Sequence, residues 1–213
     1  MRFNIALLVL LTVAMTGCAG LSANRDAQRQ VREHLDMWRA FQATGVCRIS
    51  SGEDELPGEF IIRKSSGRMR IDMFDYGMLD SRGAPFASIY VDSTVVNSFM
   101  DEIEVEPLTD DVKGWTLPDE LLDRFAKEYI GDIVRQRQVT LNDGALVTFD
   151  DEYRIISIVY EDEISLFVQY ASTGRPKLLD MKSSEGDQLA LEIRTFEPGP
   201  TVVPPIAEGA GHE

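Results

Sequence analysis

The chain has 213 residues, with 21 basic and 36 acidic side chains and a formal net charge of -15 at pH 7. That balance excludes nucleic acid as a partner, since binding it depends on neutralising phosphates with cations, and it disfavours laying the protein body on anionic lipid, which carries the same sign. Hydrophobic residues make up 44% of the chain, enough for one core, and two cysteines are too few for a disulfide framework.

The amino end is basic at Arg2 and then apolar from Ile5 to Met15. A helix of that length rises about 16 Å, roughly half of a membrane span. Such a head reads as a removable secretion signal. Met15-Thr16-Gly17-Cys18 resembles the bacterial lipobox. The resemblance implies that residues 1–17 are cleaved as a signal peptide, that Cys18 is acylated, and that 18–24 form a lipidated leader holding the protein to a membrane. Ala19, in place of a retention-type Asp, points that anchor to the outer membrane, facing the periplasm. With Cys18 committed to lipid, Cys47 is a lone buried strand cysteine; an unlipidated Cys18 would leave a Cys18–Cys47 bridge conceivable.

Asn24 can cap a helix over about 25–41, where Ala27, Val31, Leu35, Trp38 and Phe41 recur at helical spacing and Arg25, Asp26, Arg29, Arg32, Glu33 and Asp36 take the other faces. His34 borders that stripe. From 43 the period becomes two, with strands expected at 43–50, 58–64, 68–74, 86–91 and 94–100. Met69, Ile71 and Met73 alternate with Arg68, Arg70 and Asp72, the pattern of a sheet with one wet face. Ser65-Ser66-Gly67 reads as a hairpin, and Val91-Asp92-Ser93-Thr94 as the next turn. An acidic stretch, Asp101 to Glu106, reads as a solvated loop or edge.

A second helix is expected over about 118–130, with Thr116 and Asp119 as a capping box, Pro118 in the first turn and Gly131 ending it. Its apolar face is Leu121, Leu122, Phe125 and Tyr129. Strands follow at 132–141, 144–150, 153–160, 164–170, 176–182 and 188–196, with turns at Asn142-Asp143-Gly144 and Ser184 to Asp187. Residues 198–213, rich in Pro and Gly, read as a disordered tail. The fold class is mainly β: about eleven antiparallel strands and two helices in a single domain, 25–197.

Catalytic signals are absent. His34 and His212 are the two histidines, and neither joins a ligand cluster. No metal-ligand spacing, nucleophile elbow or phosphate loop occurs. Adjacent carboxylates at Asp110-Asp111, Asp150 to Glu152 and Glu161 to Glu163 are expected as solvated turns in so acidic a chain. The reading is a non-enzymatic protein without metal or cofactor.

Gly58 to Phe74, with an arginine ahead of alternating apolar residues, and Gly174 to Lys182 followed by Gln188 to Ile193, resemble the early and closing hairpins of the LolA/LolB-like lipoprotein carriers and receptors. The order of elements over 25–197 is similar too, and the closing hairpin is nearer the lipidated receptor branch. The resemblance implies a curved antiparallel sheet forming an incomplete, half-open barrel covered by helices, with an apolar concave face. Cavity candidates are then Phe60, Ile62, Met69, Ile71, Met73 and Ile89 on the early strands, Leu121 and Phe125 on the second helix, and Leu189, Leu191 and Ile193 on the last strand. Adaptable methionines (Met69, Met73, Met78, Met100) suit such a wall, and equally suit ordinary core. In that branch a protruding loop carries an exposed apolar residue implied in membrane insertion. Met78 and Leu79 hold the matching place, or are simply packed.

The expected role is an outer-membrane lipoprotein that binds lipid or the acyl chains of lipoproteins, in lipoprotein localisation or lipid transfer, with a periplasmic carrier or envelope complex as partner. The alternative is a structural or assembly lipoprotein that docks a protein through its acidic surface.

Overall fold

The structure, a computed structural model, describes residues 24–79, 84–92, 96–100, 117–160, 164–184 and 186–205. The first helix, α1, covers residues 24–37 and not 25–41. It tightens into a turn through Trp38 N–H to Leu35 O (3.1 Å) and Arg39 N–H to Asp36 O (3.2 Å). Phe41 therefore opens a strand. It keeps its place in the apolar stripe all the same, edge-on to Trp38 at 5.7 Å and stacked on Phe196 at 5.0 Å.

Five strands follow: β1 (Phe41–Ser51), β2 (Asp54–Ser65), β3 (Arg68–Phe74), β4 (Ala87–Val91) and β5 (Val96–Met100). The β2–β3 turn is two residues, Ser66 and Gly67, both at positive φ (54° and 72°), the backbone a tight hairpin needs. Later come β6 (Gln138–Thr140), β7 (Leu146–Phe149), β8 (Ile155–Val159), β9 (Ile164–Tyr170), β10 (Pro176–Ser183) and β11 (Gln188–Pro198). They form one antiparallel sheet in the order β5-β4-β3-β2-β1-β11-β10-β9-β8-β7-β6. The first strand pairs with the last, from Phe41 opposite Pro198 to Ser50 opposite Gln188. β5 and β6 stay at the two edges, so the sheet does not close into a barrel. Residues from β1 to β4 and β6 to β11 nevertheless share one core, which requires the sheet to curl around it.

The expected second helix is two helices, α2 (Asp119–Lys127) and α3 (Ile130–Gln136). Gly131 lies inside α3 rather than ending its predecessor, and the expected strand 132–141 shrinks to β6. The β-branched residues of Ile130 to Val134 mislead here: they favour strand locally, but burial of Ile130 and Ile133 in the core selects the helix. Of the expected capping box, Thr116 lies outside the described residues, and α2 starts at Pro118 without a side-chain cap.

Further outside the described residues are 1–23, including Cys18, the turn residues Ser93 and Thr94, the acidic segment from Asp101 and the Glu161 to Glu163 run. The start of the expected tail is held in place. Gly199 N–H donates to Ala40 O (2.8 Å), and Arg70 Nη1 donates to Pro204 O (3.2 Å) and Pro205 O (2.9 Å).

Two glycines test this geometry. At Gly45 a Cβ would sit 1.9 Å from Glu192 O, where the register of β11 jumps against β1. Gly45→Ala should therefore cost about 1–3 kcal/mol, lowering Tm by roughly 3–10 °C. Gly131 has only the end of Arg135 near its would-be Cβ, at 4.0 Å. Gly131→Ala should raise stability by about 0.5–1 kcal/mol. Thermal melts of both variants check the pair, and equal effects would contradict the packing at Gly45.

Candidate functional site

Alternation sends every second residue of each strand to the same face, and pairing aligns these residues into an apolar ladder across the inner face. Ile89, Ile71, Ile62, Ala43 and Phe196 stand opposite one another in turn from β4 to β11. Two inward positions further along β1, Cys47, Leu191, Leu179 and Val168 form a row that reaches β9. Leu166, Ile158, Val147 and Val139 carry it to the β6 edge. Helices α1, α2 and α3 roof this face with Val31, Leu35, Leu122, Phe125 and Ile133. Phe125 meets Phe149 edge-on at 5.7 Å.

The cavity candidates fall on this face or on its roof. Nine of them are buried, with no accessible surface left on Phe60, Phe125 or Leu191, while Leu121 and Ile193 are half-buried against the core. The face is thus filled by its own side chains and by the helices. Cys47 lies within it as a small apolar residue, its thiol pushed up to about 11 by burial, so it is not a thiolate at neutral pH. The side chain of Met100 lies outside what is described.

One charged residue that the sequence reading passed over sits among them. Lys64 is in phase with Phe60 and Ile62, and alternation turns it inward, where it is 2% exposed. Its Nζ donates to Leu117 O at 2.5 Å and lies 3.7 Å from Asp119 Oδ1. Both groups belong to the start of α2, and Asp119 Oδ1 itself accepts no hydrogen bond among the described residues. Arg39 Nη2 holds the same helix from the end of α1, donating to Asp123 Oδ1 at 2.7 Å. Burial pulls the Lys64 ammonium down to about 8.

On the other face, the turn after β3 carries Tyr76 and Met78, 66% and 45% exposed, with Leu79 half-buried. Glu59 organises it: Oε2 accepts from Gly77 N–H and Leu79 N–H, both at 3.1 Å, and Oε1 lies 3.7 Å from Arg194 Nη1. Glu59 is buried although its strand position faces outward, because the turn folds over it. No local signal reports that fold-over. Nearby, buried Asp72 accepts from Arg63, Arg70 and Ser88.

Among the described residues the carboxylates serve turns and ion pairs. Asp150 is a turn organiser, accepting from Glu152 N–H and Arg154 N–H (2.9 Å each) and paired with the Arg154 guanidinium. Asp143 accepts from Ala145 N–H at 3.1 Å. Among the described residues no three His, Cys, Asp or Glu side chains are placed to hold a metal, and no helix is long and apolar enough to cross a membrane.

No protein-family model and no curated protein matches the chain. Among solved structures, a LolA superfamily protein from Nitrosomonas europaea is similar at 12% identity and TM-score 0.44, over 83% of this chain and 94% of that one. A domain provisionally named outer membrane lipoprotein-sorting, from Vibrio parahaemolyticus, is similar at 9% identity and TM-score 0.42, over 84% of this chain and 95% of that one. Likenesses at this level assign neither a family nor a role to the chain.

Lys64 gives a test with a definite sign. Its folded value, about 8, lies below the unfolded 10.5, so the unfolded chain holds more protons between them and stability rises with pH through that window. Below pH 8 the burial penalty is fully present. Lys64→Met should remove this rise, on the order of 3 kcal/mol, seen by comparing urea unfolding of variant and wild type from pH 7 to 10.5. Parallel profiles would contradict the buried ammonium.

Proposed function

We propose that the chain is a non-catalytic lipoprotein, anchored through acylated Cys18 to the outer membrane and facing the periplasm, whose inner sheet face takes up an acyl chain of a lipid or of another lipoprotein. The observation that carries this reading is the apolar inner face beneath α2 and α3, on which Lys64 is the buried cation among the described residues. An acyl chain makes no hydrogen bonds and asks only for apolar, adaptable surface, which Met69 and Met73 supply beside Ile62 and Ile71. Of the roofing helices, α2 and α3 are nine and seven residues long and have no side-chain caps. Helices so short are held by tertiary contacts and not by their own stability. Tyr76 and Met78 form the part of the body that touches the bilayer, placing the face close to the source or destination of the chain. A periplasmic carrier or envelope complex is the partner this role implies.

The energies set a condition. Lifting α2 and α3 exposes Leu122, Phe125, Ile130 and Ile133, at about 6–12 kcal/mol in total. Each buried methylene returns about 0.8 kcal/mol, so roughly a dozen are needed to offset it. Binding should therefore depend steeply on chain length. Native mass spectrometry of the full chain with added fatty acyl probes tests this: hexadecanoyl probes should bind one to one, octanoyl probes should not. Rejection of both, from protein that also purifies without lipid, would sink the reading.

A further inference from the structure

A cleft of about 350 Å³ opens where β10 and β11 part, and its floor shares Ile193 and Phe196 with the rows of the inner face. Its origin is in the registers. The β10–β11 ladder ends at Leu178 opposite Glu192. Beyond it, β10 stays with β9 and β11 stays with β1, so the two strands splay. Each also carries a bulge there. Pairing with β9 jumps from Tyr170–Pro176 to Gln169–Leu178, leaving Lys177 as the extra residue. Pairing with β1 jumps from Thr44–Thr195 to Gly45–Ile193, leaving Arg194 as the extra residue. Bulges re-aim side chains and occur often beside functional sites.

The lining joins two chemistries. Pro176, Ile193 and Phe196 supply apolar floor, and Arg175, Lys177 and Arg194 supply three cations on a chain of net charge -15, with Glu197 as the one carboxylate. Arg175 Nη1 is steadied by Phe196 O at 3.2 Å, and Arg194 reaches Glu59 at 3.7 Å. The Lys177 side chain has no ion pair or hydrogen bond among the described residues. We propose that this cleft binds the phosphate of an anionic amphiphile, held among Arg175, Lys177 and Arg194, with the adjoining apolar part resting on Pro176 and Ile193. The position favours a lipid headgroup as the source, because Arg194 contacts the same Glu59 that holds the exposed Tyr76–Met78 turn. The proposal does not rest on acyl uptake by the inner face.

The test is a ³¹P NMR titration of the full chain, in a non-ionic detergent, with dihexanoyl phosphatidylglycerol, dihexanoyl phosphatidylcholine and glycerol 3-phosphate. Saturable binding of the phosphatidylglycerol is expected, with phosphatidylcholine at least tenfold weaker. Lys177→Gln, a change at an exposed and unpaired side chain, should weaken binding roughly tenfold, the effect of losing one charge-assisted contact. Arg48→Gln, at an exposed cation paired with Glu55 elsewhere, should leave it unchanged. Glycerol 3-phosphate binding much more weakly supports the lipid source; equal binding supports a soluble phosphoester in the same site. Absence of binding by both, equal binding of phosphatidylcholine, or indifference to Lys177→Gln overturns the proposal. A saturating hexadecanoyl probe should not compete, so failure here and failure of acyl uptake are separable.

Discussion

Pairing of β1 with β11 joins residues about 150 positions apart and turns two meanders into one sheet. From that seam β2 to β5 step away on one side and β10 to β6 on the other, leaving α2 and α3 in the connection between the two outermost strands. Within that connection α2 and α3 lie on the apolar side of the sheet, with Leu122, Phe125, Ile130 and Ile133 in the core. A seam of such long sequence separation carries a large loop-closure entropy, spent before the contact rewards it. Phe41 and Phe196, stacked beside the seam with Trp38 at the end of α1, tie the first helix to the same event.

The seam also divides the two faces. On the inner side Ala43 and Gly45 are small, and the Phe60 ring packs against Gly45. Outside it, polar and charged side chains dominate: Arg63 and Arg70 close on Asp72, and the chain from Gly199 to Pro205 crosses over them. Gly45 belongs to both faces. Its missing side chain admits the β11 backbone, the register jump that follows leaves Arg194 as the extra residue, and the strands part beyond it. The close approach at Gly45 and the bulge at Arg194 thus fall at the same point of the seam.

Much of this was legible because the strands are regular. Alternation placed Met69, Ile71 and Met73 on one face, and turn residues such as Ser66-Gly67 and Asp143-Gly144 marked hairpins that the structure contains. What escaped has physical causes. A short helix with β-branched residues, α3, has no local propensity to announce it, and its existence depends on a core formed by distant strands. Glu59 and Lys64 look like surface charges until a turn folds over one and a helix N-terminus settles on the other. The cleft was invisible because bulges are properties of pairs of strands. Ile193, expected in the central lining, sits half-buried at its floor.

Acyl uptake by the inner face requires that α2 and α3 be a roof able to leave an otherwise permanent sheet. Hydrogen exchange across the chain, with and without a hexadecanoyl probe, measures that directly. Amides of 119–136 should exchange through local opening, well ahead of β1, β2 and β11, and their exchange should change on adding the probe while the seam strands hold. Protection of 119–136 equal to that of β1 and β11, and unmoved by the probe, would mean that the helices are fixed core and that the inner face receives nothing.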